Sequence, residues 1–284
     1  MEKYRQIDLS EWRQVGAGYN GEAYVSDAYP GKLLKIVRGF LSTETAVVKE
    51  FNAPRLLHEV GLPSPETYEI VRHGEDYGYL CQNIEGKKSF GRLCEANPER
   101  IPEYAAQMAQ WGKVFHQTAI EAGPYVTSMK DMLRKALETS PIVSEENRVR
   151  LKEVVEAMPD SKTCLHGDFQ VGNIIVAGDK HYWIDLGWFS QGYYLMDLGH
   201  MYKMMVEDSV IPMVEGLTHM TRPQMLAFWE AFVKAYTGQE DVDTFNNSLK
   251  PYAALDAVRS FYLHATENPQ LKAYLAHCVE LNLA

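Results

Sequence analysis

Over the first 85 residues, apolar positions come in short runs broken by glycine- and proline-bearing turns, the pattern of strands, with one helical insertion. Residues 12–16 and 22–25 flank a glycine-rich loop. Tyr29-Pro30-Gly31-Lys32 has the order of a type II turn, and 33–37 is a short apolar strand. Residues 42–60 carry a helical pattern that stops at Gly61, a C-terminal cap, just before Pro63. Residues 67–72 and 77–82 form a strand pair around Gly74-Glu75-Asp76.

From about Phe90 the spacing changes. Ile101, Tyr104, Ala105, Met108, Trp111 and Phe115 repeat with helical period, which predicts an amphipathic helix over 99–121. Helices are also predicted at 127–138, 144–158, 194–206, 222–237, 245–264 and 268–282, interrupted by a strand-rich island at 163–185. The expected fold class is therefore α+β. A small, mainly antiparallel sheet with one main helix occupies 1–85, a larger and mostly helical part occupies 86–284, and a hinge lies at about 82–88.

Composition narrows this picture. The formal net charge is −10, so the basic footprint of a nucleic-acid binder is missing. An acidic surface is compatible with a cationic partner, although it most often only aids solubility. Cys81, Cys94, Cys164 and Cys278 form no C-x-x-C pair, as expected of free core thiols in a reducing cytosol. The first residues lack the apolar stretch of a signal peptide, and no apolar run could span a bilayer; the expectation is a soluble cytoplasmic protein without membrane contact. Oligomeric state is not encoded in any recognisable way.

The chemistry concentrates in the island, His166-Gly167-Asp168 through Asn173 to Asp185. Residues 174–177 and 181–184 read as a hairpin around Gly178-Asp179-Lys180. Pairing symmetric about residue 179 sets 173 opposite 185; a bulge in the turn would shift this register by one. An amide oxygen beside a carboxylate is a hard-oxygen pair suited to Mg²⁺. Asp168, on the loop leading in, can orient a hydroxyl and take its proton. Singly, such residues are usually turn formers or caps; the joint pattern is far more specific.

These residues resemble the aminoglycoside phosphotransferase family, which includes choline and other small-molecule kinases and carries His-Gly-Asp-x4-Asn followed by a metal-binding Asp. The resemblance runs over roughly residues 12–205. It implies a bilobal protein kinase-like fold, ATP (or GTP) and Mg²⁺ as cofactors, and a small-molecule hydroxyl acceptor. By the same resemblance Asp168 is the catalytic base, Asn173 and Asp185 are metal ligands, and His166 supports the loop. Gly16, Gly18 and Gly21 form a G-x-G-x-x-G between two strands, a kinase-like setting rather than a Rossmann one. No Walker motif occurs. Lys35, a lone charge in an apolar strand, is either a solvated edge residue or, by resemblance, a phosphate ligand. Glu50 would orient it, with Pro54 a complication inside the same helix. Backbone groups of Gln82 and Ile84 would meet adenine. Asp197, at the start of a helix, is either its N-cap or, as in relatives, a brace for the catalytic loop.

Acceptor-binding candidates are Glu207, Asp208, Glu230, Asp256 and Glu267, with Trp188, Tyr193 and Trp229; each alone is more often a solvated helix face or core aromatic. Two other classes remain. One is a silent nucleotide-binding module, disfavoured because every polar catalytic group is present. The other is a protein kinase, disfavoured because no Ala-Pro-Glu follows Asp185 and only eleven residues separate it from Asp197.

Overall fold

The computed structural model describes residues 3–18, 21–264 and 268–284. Tyr19 and Asn20 of the glycine loop and the acceptor candidate Glu267 lie outside the described residues. The chain divides into two compact units, one of Met1–Lys88 with Asn173–Trp188, the other of Ser89–Gly172 with Phe189–Ala284.

The first unit is built on a six-stranded sheet: β1 (Arg5–Gln6), β2 (Arg13–Ala17), β3 (Gly21–Val25), β4 (Lys32–Val37), β5 (Thr67–His73) and β6 (Asp76–Gln82). The spatial order is β1-β5-β6-β4-β3-β2, antiparallel except for the β1–β5 pair. The Tyr29–Lys32 turn closes with a 3.1 Å bond from Lys32 N to Tyr29 O. Helix α1 (Glu44–Glu59) starts at Thr43, whose hydroxyl accepts from Ala46 N, and ends in a paired-bond cap at Gly61 and Leu62.

Strand alternation sorts β4 between two cores. Leu34 and Ile36 join Ile7, Trp12, Tyr24, Val71 and Leu80 on one face. Val37 joins Val47 and Phe51 of α1, with Tyr79, on the other. Lys35 shares the face of Val37, so the period of two carries its side chain toward α1.

The hairpin of the island, Ile174–Ala177 with Lys180–Trp183, belongs to this unit. Trp183 N donates to Pro63 O at 3.0 Å, and Ser64 Oγ donates to Trp183 O at 2.9 Å. Its register differs by one from the symmetric expectation. Ala177 faces Lys180 and Ile174 faces Trp183, so Asn173 sits opposite Ile184, whose N–H donates to Asn173 O at 3.0 Å, and not opposite Asp185. The cause is a two-residue turn, with Gly178 at φ 63° in its first central position, where the tightest hairpins require glycine.

The second unit is helical: α2 (Phe90–Ala96), α3 (Ile101–Gln117), α4 (Met129–Thr139), α5 (Glu145–Ala157), α6 (Leu195–Tyr202), α7 (Pro212–Thr218), α8 (Arg222–Thr237), α9 (Val242–His264) and α10 (Pro269–Leu283). One core gathers Leu133, Leu137, Leu151, Val155, Leu255, Val258 and Val279 from α4, α5, α9 and α10. Phe115, Phe169, Phe228 and Phe232 are fully buried. A small sheet places Ser190–Gln191 between Thr127–Ser128 and Cys164–Leu165, which anchors the chain just before His166. The sequence pattern had shown neither α2 nor α7. Each has seven residues and an internal glycine, too short for a helical period to register. Met201 and Met205 are buried in the core, whereas Met204 is only partly buried. Among the described residues no helix is long and apolar enough to cross a membrane.

Candidate active site

In the first unit three charged side chains from distant parts of the sequence converge. Lys35 Nζ donates to Glu50 Oε1 at 2.6 Å and also to Asp185 Oδ1. Tyr79, the neighbour of Lys35 across the sheet, donates its hydroxyl to Glu50 Oε1 at 3.0 Å. Pro54 does not prevent this. Its missing N–H frees the Glu50 carbonyl within the helix, but α1 continues through it and the Glu50 side chain still faces β4. Burial opposes the charge on Lys35, yet the carboxylates of Asp185 and Glu50 outweigh it and hold the ammonium well above its ordinary range.

Asp185 follows the hairpin at φ 58°, a left-handed conformation uncommon outside glycine. Such strain persists where its surroundings enforce it and often marks a functional position. Asn173, which leads into the first strand at the same open end of the hairpin, is buried. Gly16 and Gly21 lie on β2 and β3, and Gly18 N donates to Gly21 O at 2.8 Å across the loop mouth. Gln82 ends β6 with its N–H committed to Glu66 O at 2.8 Å, and Ile84 is buried.

The second unit holds Asp168 on a loop whose backbone is tied at every step. Asp197 Oδ2 accepts from His166 N at 2.6 Å, and its Oδ1 accepts from Gly167 N at 2.9 Å. Asp168 N donates to His166 Nδ1 at 3.3 Å. Arg259 Nη2 donates to Gly167 O at 2.7 Å. Asp197 is therefore a loop brace; the cap position of α6 belongs to Tyr194, which makes no side-chain cap bond. Burial alone would raise Asp197, but the bond from His116 (3.1 Å), the charges around it and Gly167 N–H hold it below the usual carboxylate range. His116 is itself held by Tyr236, 2.9 Å away.

Sequence reasoning missed His200 and Arg259. The available signal was that Asp197 and His200 are the one carboxylate and the one imidazole of an otherwise apolar helix, three residues apart on one face. Of the acceptor candidates, Asp208 is bound by Lys203 Nζ (2.5 Å) and Tyr274, and Glu230 pairs with Lys234 on the surface. Asp256 is buried between His200 and Arg259. Trp229 is buried, with Nε1 on Asn246 Oδ1, and Tyr193 packs beside Tyr194 and Tyr252. Trp188 ends a short turn of the first unit.

A mixed sheet carrying a lysine–glutamate pair, together with a helical unit carrying a braced Asp loop, is the protein kinase-like fold in its small-molecule form. The chain belongs to the phosphotransferase enzyme family, whose model matches residues 11–232. No curated protein matches it significantly in sequence. Among solved structures it is similar to a choline/ethanolamine kinase family protein from Mesorhizobium loti, with 16% identity, TM-score 0.61, 96% of this chain and 86% of that one covered. It is similar to the amicoumacin kinase hAmiN in complex with AMP-PNP, Ca²⁺ and amicoumacin, with 15% identity, TM-score 0.60, and 98% and 90% covered. It is also similar to a thermostable mutant of the aminoglycoside phosphotransferase APH(4)-Ia with AMP-PNP and hygromycin B, with 13% identity, TM-score 0.65, and 96% and 93% covered.

Proposed function

We propose that this phosphotransferase moves the γ-phosphoryl group of ATP (or GTP) to a hydroxyl of a small molecule. The observation that carries the reading is the meeting of Lys35 with Glu50 and Asp185, residues separated by 15 and 150 positions. A fold brings a partly buried ion triad together from such distant positions most readily where a polyanion is to be received.

In this reading Lys35, oriented by Glu50, binds the nucleotide phosphates, and the backbone around Gly16, Gly18 and Gly21 covers them. Ile84 and the carbonyl of Gln82 meet the adenine ring. Asn173 and Asp185 hold Mg²⁺. They offer one amide and one carboxylate oxygen, and the Asp185 side chain is half exposed at 49%. That set suits a Mg²⁺ ion that completes its shell with water and phosphate oxygens. When bound, the ion neutralises charge on the phosphates.

Asp168 accepts the proton of the acceptor hydroxyl as that oxygen bonds to the γ-phosphorus and the bond to the bridging oxygen breaks, releasing the nucleoside diphosphate. The braces from Asp197, His166 and Arg259 fix the loop beforehand, so little ordering is needed at the moment of transfer. The relatives named above include kinases of an aminoglycoside and of amicoumacin; the acceptor proposed here is of that general kind, a small hydroxyl-bearing molecule, with cationic ones favoured by the net charge of −10.

Nucleotide consumption with Mg²⁺ over a panel of aminoglycosides, amino alcohols and sugars tests this, with Asp168→Asn alongside. The expected result is turnover on at least one class and a loss of about 10²–10⁴-fold in the variant. Nucleotide binding without turnover on any acceptor would favour the silent module.

A further inference from the structure

His200 leaves the same face of α6 as Asp197, toward the same loop. Asp197 takes the loop backbone, whereas His200 takes the acid itself. Its Nε2 lies 3.0 Å from Asp168 Oδ1, and its Nδ1 lies 3.1 Å from Asp256 Oδ2. Asp256 is gripped in turn by Arg259, through Nε at 3.2 Å and Nη2 at 2.7 Å on Oδ1.

A neutral imidazole has one N–H and one lone pair. Between two carboxylates it would set that lone pair against an oxygen. Only the imidazolium, with two N–H donors, satisfies both sides. The four groups then alternate in sign, Asp168, His200, Asp256, Arg259, and sum to zero, as buried charges must to be tolerated. Among the described residues, Lys203, one turn further along the same helical segment, and His264 at the end of α9 also face this array.

We propose that His200 is a positioning residue for Asp168: an imidazolium anchored on Asp256, which Arg259 grips in turn, it holds the Asp168 carboxylate by Oδ1 in a fixed orientation on its loop. The proposal rests on the reading of Asp168 as the base. Burial opposes the charge on the ring, but Asp256 and Asp168 outweigh it and raise His200 to about 10. Asp256, despite its burial, is held far below the usual carboxylate range by His200 and Arg259.

A purely structural histidine would change stability alone. A positioning imidazolium also governs the acidity of Asp168, because an adjacent cation lowers a carboxylate pKa by about 1–3 units. Two measurements decide. The first is ¹⁵N NMR of the histidine rings in the wild-type protein, with the His200 signal identified by its loss in His200→Gln. The expected result is an imidazolium that persists through pH 8, while a neutral ring at pH 7.5 overturns the proposal. The second is the pH profile of MgATP hydrolysis with water as acceptor. His200→Gln should shift the acid limb upward by about one unit or more, with KM for ATP within about twofold. An acid limb that stays in place while Asp168→Asn is inactive overturns the role of His200 and spares the base. Full turnover by Asp168→Asn removes the base, and the proposal with it.

Discussion

Replacing Asp197 by alanine is the sharpest test of the braced loop. Its carboxylate accepts from His166 N, Gly167 N and the His116 ring, all buried. Alanine strands all three donors at once. Each buried donor left without a partner costs about 1–3 kcal/mol, and removing one member of a buried charged network typically costs about 3–5 kcal/mol. The two routes overlap near 3–5 kcal/mol, because part of the loop can relax toward water. For a body of 150–250 residues, each kcal/mol lowers Tm by about 2–4 °C, so thermal denaturation followed by far-UV circular dichroism should show a fall of about 6–20 °C. Asp197→Asn keeps one acceptor oxygen but turns an NH₂ toward a backbone N–H, and should fall by roughly half as much. A loss below about 2 °C in Asp197→Ala would refute the reasoning, since it would mean that the loop finds other partners without cost.

Other outcomes follow from the same contacts. Lys35→Ala removes a charge-assisted contact worth about 1.5–3 kcal/mol and should raise KM for ATP about 10-fold or more in steady-state kinetics; an unchanged KM would place the phosphates elsewhere. The folded-state pKa of His200 lies above its unfolded value of 6.5, at about 10, so its stabilisation is complete below pH 6.5 and is lost as pH rises toward 10. Urea denaturation at several pH values should therefore show stability declining by up to about 1.4 kcal/mol per pH unit across that window, and His200→Gln should flatten the decline. On the acid side Asp197 and Asp256, both depressed, contribute stability that disappears as pH falls below the ordinary carboxylate range. A Cβ on Gly21 would lie 2.6 Å from Ile36 O, so Gly21→Ala should cost about 1–3 kcal/mol in the same denaturation assay.

Much of this was legible in the residues because it is local. The Tyr29–Lys32 turn, the cap at Gly61 and the helix Arg222–Thr237 each declare themselves within a few positions. Register was less legible. Whether Gly178 opens a two-residue or a three-residue turn depends on a single φ angle, and the choice moved the partner of Asn173 from Asp185 to Ile184. Least legible were the braces. His200 meets Asp256 across 56 positions and Arg259 meets Gly167 across 92, separations at which a sequence pattern carries no distance information. Glu50 shows the opposite case: Pro54 argued locally against its pairing with Lys35, yet the missing backbone bond does not alter the direction of the side chain, and the two meet.

The hairpin that belongs to the first unit has a consequence for the order of synthesis. Met1–Lys88 emerges from the ribosome without Asn173–Trp188, and so without the strand whose Trp183 bonds Pro63 and Ser64 and without the carboxylate that pairs with Lys35. At about 5–20 residues per second, the missing piece arrives some 5–20 s later. Through that interval the nascent sheet exposes the surface that receives it, and Lys35 has Glu50 alone as its counter-charge. The first unit is thus interrupted by the whole of Ser89–Gly172 and is complete only at residue 188, so ribosome-bound chains ending before residue 173 should lack its hairpin and the Lys35–Asp185 pair however long they wait.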